Sequence, residues 1–165
     1  MASFENFPEN SRIWIFQSAR QFTAPEMEWI KSKNSIFILS WSSHREKLKA
    51  AIEIFYDRFL VVAADENFLI PSGCSIDSLN QFLRSIEKEF NLSLFGRMDI
   101  AFKDGNSVST FHYNQLEKLL IEGKINENTI VFNNLVSSKK EFLHQWEVPL
   151  KQTWLNKISN PGYAK

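Results

Sequence analysis

The chain of 165 residues balances 19 Lys and Arg against 19 Asp and Glu, so no global field draws it onto nucleic acid or an anionic membrane. A hydrophobic content of 44%, rich in Phe and Trp, excludes the disordered classes and can fill the core of one domain of this length. Cys74, the only cysteine, excludes an intramolecular disulfide and fits a reducing compartment.

The first residues, MASFENFPENSR, hold no basic stretch followed by an apolar run, and no segment approaches the roughly 18 apolar residues of a membrane span. The cytoplasm is the expected location. Residues 12 to 18 (RIWIFQS) form a β-rich run that is apolar on both faces. Thr23 then caps a helix, with Glu26 completing a capping box and Pro25 tolerated in the first turn. Met27, Ile30, Asn34, Phe37, Ile38 and Trp41 follow at helical spacing, one stripe broken only by Asn34.

Residues 50 to 65 predict two strands joined by a turn near Asp57 and Arg58, which lacks the Gly favoured there. Pairing Tyr56 with Phe59 sets Ile52, Ile54, Tyr56, Phe59, Val61 and Ala63 on one face; Ala51, Glu53, Phe55, Leu60, Val62 and Ala64 fall on the other. After Pro71 and Gly73, Ile76, Leu79, Phe82, Leu83, Ile86 and Phe90 trace an amphipathic helix capped by Ser75. Residues 98 to 103 and 107 to 111 flank Asp104-Gly105-Asn106 as a second hairpin. Leu116, Leu119 and Leu120 mark a short helix ending at Gly123, and TIVFN at 129 to 133 is a brief strand. In the tail, Ser138 and Glu141 form another capping box, and Pro149 starts a helical stretch through Trp154.

No repeat or low-complexity linker interrupts the chain, so residues 1–165 are expected to be a single domain. Its fold class is α+β. The element order over residues 1–103 is that of a ferredoxin-like βαββαβ core with an antiparallel sheet, whose helices lie on one face. The other face carries Phe55, Leu60 and Val62, so residues 104–165 are expected to form a C-terminal α/β extension over it; a second subunit, making a homodimer, is the alternative cover.

Neither GxxxxGK(S/T), GxGxxG, HExxH, paired CxxC nor GxSxG is present. The five glycines lie too far apart for a phosphate-cradling loop, which argues against an autonomous P-loop ATPase. His44, His112 and His144 have no second ligand at metal-binding spacing, so no metal and no cofactor is expected. An RNA-binding sheet shares the predicted element order, but Tyr56 to Ala64 lacks the aromatic pattern of such sheets.

Two places carry candidate chemistry. Glu53, among apolar neighbours, is a candidate acid or base, or a partner for a cationic ligand group; a one-residue change of register makes it an ordinary paired or solvated carboxylate. The stretch Ser72-Gly73-Cys74-Ser75-Ile76-Asp77 leads a small-residue loop into a helix, where free N–H groups favour an anion or a thiolate. The plainer alternative is a capped helix with Cys74 as a small packed side chain. Arg58, Arg97 or a histidine are the partners considered for Cys74, the two arginines as anion-binding residues.

The stretches WIFQSARQFT, RFLVVAADE, SGCSID, LFGRM, VFNNLV and WEVPLKQTW, in this order over most of the chain, resemble a family of small bacterial proteins that often carry the label "ABC transporter ATPase". The resemblance implies no particular activity or catalytic residue. The label itself conflicts with the missing phosphate-binding loop and with the length of the chain. The function expected from the residues is a small-molecule- or protein-binding module without catalytic activity. Its alternatives are an enzyme working through Cys74 and, third, an RNA-binding sheet.

Overall fold

A computed structural model describes residues 4–159. The chain divides into two compact units. One combines residues up to 96 with 135–143, the other 97–134 with residues from 144 onward. Both are mixtures of helix and antiparallel sheet.

In the first unit, β1 (Arg12–Gln17) leads to α1 (Ala24–Ser40). Its capping box has the expected members: Thr23 Oγ1 accepts from the Glu26 N–H, and Glu26 accepts from the Thr23 N–H at 2.8 Å. The helix stops at Trp41, whose extended backbone turns into a two-residue strand β2 (Ser42–Ser43) and its partner β3 (Glu46–Lys47). Next come β4 (Ala50–Phe55), β5 (Phe59–Ala64) and α2 (Gly73–Phe90).

The main sheet runs β1-β5-β4, all antiparallel. Ile52 opposes Val62 and Phe55 opposes Phe59, one residue away from the register expected from the sequence. Three residues, Tyr56, Asp57 and Arg58, form the connection instead of two, and loop length fixes register. As a result Trp14, Phe16, Ile52, Ile54, Leu60 and Val62 share one face, which packs under Ile30 of α1 and Leu79, Leu83 and Ile86 of α2. The two helices therefore cover one face, as expected. Every residue of central β5 is buried.

Opposite, Phe55 meets Phe4 and Phe142 in a cluster of edge-to-face rings at 5.2–5.8 Å. This cover comes from two pieces, the N-terminal segment from Phe4 onward and residues 135–143, which include the start of α4 (Lys139–Gln145). The extension contributes only part of it, and the N-terminal segment was not expected there. Lys139, 7% exposed, stitches the pieces together by donating to the carbonyls of Glu5 and Phe7, both at 2.7 Å.

In the second unit, β6 (Asp99–Asp104) and β7 (Ser107–His112) form the expected hairpin, closed at Gly105, whose φ of +59° suits a residue without a side chain. With β8 (Ile130–Phe132) and β9 (Glu147–Pro149) they make a four-stranded sheet in the order β7-β6-β8-β9. Ile100, Phe111 and Val131 pack there with Leu116 of α3 (Leu116–Ile121), Leu150 and Leu155, and α5 (Asn156–Ser159) ends the described chain.

The four-stranded ferredoxin-like sheet is accordingly not formed. β6 was expected in one sheet with β1, β4 and β5, but β7 pairs with it along its whole length and β8 meets it on the other side at Phe102. A tight turn makes the β7 pairing entropically cheap, and β8 occupies the other side of β6 at Phe102. The outer edge of β1 instead meets residues 137–139, through an antiparallel bridge from Arg12 to Ser138 and the Ile13 N–H donating to the Ser137 carbonyl. Nor do the units divide at residue 103, since β6 belongs wholly to the second.

Candidate functional site

Helix α2 begins three residues earlier than its periodicity suggests. Ser72 is the cap, and Ser75, expected in that role, sits at the third helical position and completes a reciprocal box: Ser72 Oγ accepts from the Ser75 N–H and Ser75 Oγ from the Ser72 N–H. Two serines thus do what Ser and Glu usually do. Gly73 and Cys74 occupy the first two helical positions, and their N–H groups meet no acceptor among the described residues. Cys74 is exposed, which overturns its reading as a packed core side chain.

Against this helix start lies the β2–β3 hairpin, which the sequence pattern did not reveal. Three bonds hold it: Ser75 Oγ donates to the Ser42 carbonyl at 2.8 Å, Trp41 Nε1 to the Ser75 carbonyl at 2.7 Å, and Ser43 Oγ to the Ile70 carbonyl at 3.0 Å. Between them opens a cleft of about 370 Å³. Phe37 and Trp41 form its apolar wall, with Phe37 braced from behind by the stacked ring of Phe82 at 4.5 Å. Ser40, Ser42, Ser72, Ser78, Cys74, His44 and Arg45 supply the polar lining.

Arg45 and His44 make no ion pair or hydrogen bond with other described residues. Glu46, next along the hairpin, is exposed and forms no ion pair either. The cleft therefore gathers an available guanidinium, an imidazole and the thiol of Cys74, whose own N–H is open, beside an aromatic wall. Such a set suits a small anion joined to an apolar group.

The other sequence candidates fall elsewhere. Arg58 is buried at the end of the β4–β5 hairpin, where its Nη1 donates to the carbonyls of Ser18 and Ala19; burial pulls its pKa below the usual guanidinium value. It braces the β1 end and is not at the cleft. Arg97 is exposed and belongs to the second compact unit. Asp77 is exposed on α2 outside the lining, and Ser75 is buried beneath it. Glu53 lies on the face opposite the helices and accepts the Phe4 N–H at 2.8 Å, which makes it an anchor for the N-terminal segment.

His44 and Arg45 were passed over as a pair because no Gly or Asn announces their turn. Trp14 and Phe16 pack against the helix-covered core and Phe55 against Phe4 and Phe142, so the rings that suggested base stacking are engaged in the interior. Among the described residues no group of three or more His, Cys, Asp and Glu gathers as a metal site, and no helix is long and apolar enough to cross a membrane. Comparison with protein-family models, with curated proteins and with solved structures found no match.

Proposed function

We propose that the protein is a non-catalytic binding module whose ligand is a small molecule carrying an anionic group, held in the cleft between the α2 N-terminus and the β2–β3 hairpin. The observation that carries this reading is the convergence on one cleft of Arg45, His44 and Cys74, beside the Phe37–Trp41 wall and the open end of α2. Charge is met there by donors not engaged elsewhere, and the wall accepts a flat apolar portion. NMR titration of the full chain with phenyl phosphate and with inorganic phosphate tests it. Amide shifts at Gly73, Cys74, His44 and Arg45, larger and earlier with phenyl phosphate, are the expected result; no site-confined shift with either probe would remove the reading.

A second reading, an enzyme acting through Cys74, is favoured by the exposure of that thiol beside His44 in the same cleft. A helix N-terminus stabilises thiolate over thiol. The reading requires iodoacetamide to label the native chain faster than a free model thiol at neutral pH, with Cys74→Ser as control. Native labelling slower than that of the unfolded chain would leave only the binding module.

A further inference from the structure

We infer that the His44–Arg45 turn is the ligand-selecting element of this cleft, kept in an unfavourable backbone conformation because it presents a guanidinium and an imidazole to an oxyanion; the inference rests on the binding reading above. Ser43 pairs with Glu46, so His44 and Arg45 form a two-residue hairpin connection, and both have left-handed φ, +51° and +73°. That is the pattern of a type I′ turn, which Asn-Gly fills at little cost and which longer side chains fill under strain.

The same molecule contains a comparison. Tyr56 and Asp57 also have φ of +51°, but their turn is bolted into the fold: Asp57 carbonyl accepts the Phe22 N–H, Arg58 carbonyl accepts the Ser18 N–H, and the Arg58 N–H closes onto Phe55. At His44 and Arg45 no onward hydrogen bond from the turn's own backbone or side chains reaches another described residue. The flanking residues alone are tied down, through Ser42 and Ser43. What the strained pair offers is its side chains, and both line the cleft. An observed backbone outlier without a structural return points to a role for the residues that bear it.

The deciding experiment replaces the pair by the sequence that the turn prefers, His44→Asn with Arg45→Gly, in the full chain, and measures thermal unfolding and phenyl phosphate affinity. Higher thermal stability together with at least a tenfold loss of affinity is expected. Arg45→Lys, which keeps a cation and the same backbone demand, should retain more affinity than Arg45→Gly and gain no stability. Asp57→Gly, which relieves the bolted turn outside the cleft, should leave affinity unchanged. An Asn-Gly variant that binds as tightly as the parent, or that is no more stable, overturns the inference while the binding reading stands. A parent chain with no affinity for phenyl phosphate overturns both.

Discussion

The two faces of the β1-β5-β4 sheet are both apolar, yet they are covered in different ways. On one, two long capped helices lay stripes of Ile, Leu and aromatic side chains, interrupted on α1 by the buried Asn34, over Trp14, Phe16, Leu60 and Val62. On the other, two short pieces, the N-terminal segment and the two-turn helix α4, insert Phe4 and Phe142 against Phe55 and are held by polar ties: Lys139 to two carbonyls, Glu53 to the Phe4 N–H, and the Lys139 and Lys140 N–H groups to the carbonyls of Ser11 and Glu9. Helices satisfy their own backbone, so packing alone can hold them. Short turns and irregular segments leave most of theirs open, so their covering face needs side chains and paired backbone groups drawn from distant parts of the chain.

This contrast can be broken by mutation. Leu83→Ala, at a fully buried position of α2 over the helix-covered face, is expected to cost about 3 kcal/mol in denaturant unfolding, the largest effect of the series. Lys139→Ala, which removes the donor shared by the carbonyls of Glu5 and Phe7, is expected to cost about 2 kcal/mol and to speed amide exchange in residues 4–11 without changing exchange in α2. A greater loss for Lys139 than for Leu83 would mean that polar ties, and not packing, carry the larger share.

A pH titration sharpens the comparison at its smaller end. Glu26, in the first turn of α1, receives a bidentate guanidinium from Arg20 at 2.7 and 2.8 Å, and this pairing lowers its pKa from 4.5 to about 2. Because the folded value lies below the ordinary one, the stabilisation is complete above about pH 4.5 and is lost as pH falls through about 2. With Arg20 half exposed, its size is about 1 kcal/mol. Glu26→Gln should remove that part of the acid sensitivity, read as a flatter stability curve between these pH values; an unchanged curve would show that ionisation of Glu26 contributes nothing to stability there. Glu141, lowered by the Ser137 and Ser138 donors at the start of α4, adds a contribution of the same sign.

Much of this architecture is local and was legible in the residues. Thr23 and Glu26, Ser138 and Glu141, and the stripe Leu79, Leu83 and Ile86 each act within a few turns of chain, so type and place follow from spacing. The Ser72-to-Asp77 stretch likewise marked a helix start, with the cap displaced from Ser75 to Ser72 because a serine can serve as either member of the box. Only the tertiary structure decided which strand stands beside which, since β6 reads the same whether its neighbour is β1 or β8 and the choice is made by pairing between distant segments. It also decided which side chains share a cleft with Cys74: His44 and Arg45 stand there, on a hairpin that lacks turn residues and is held by three side-chain bonds, whereas Arg58 is committed to two carbonyls at the other hairpin.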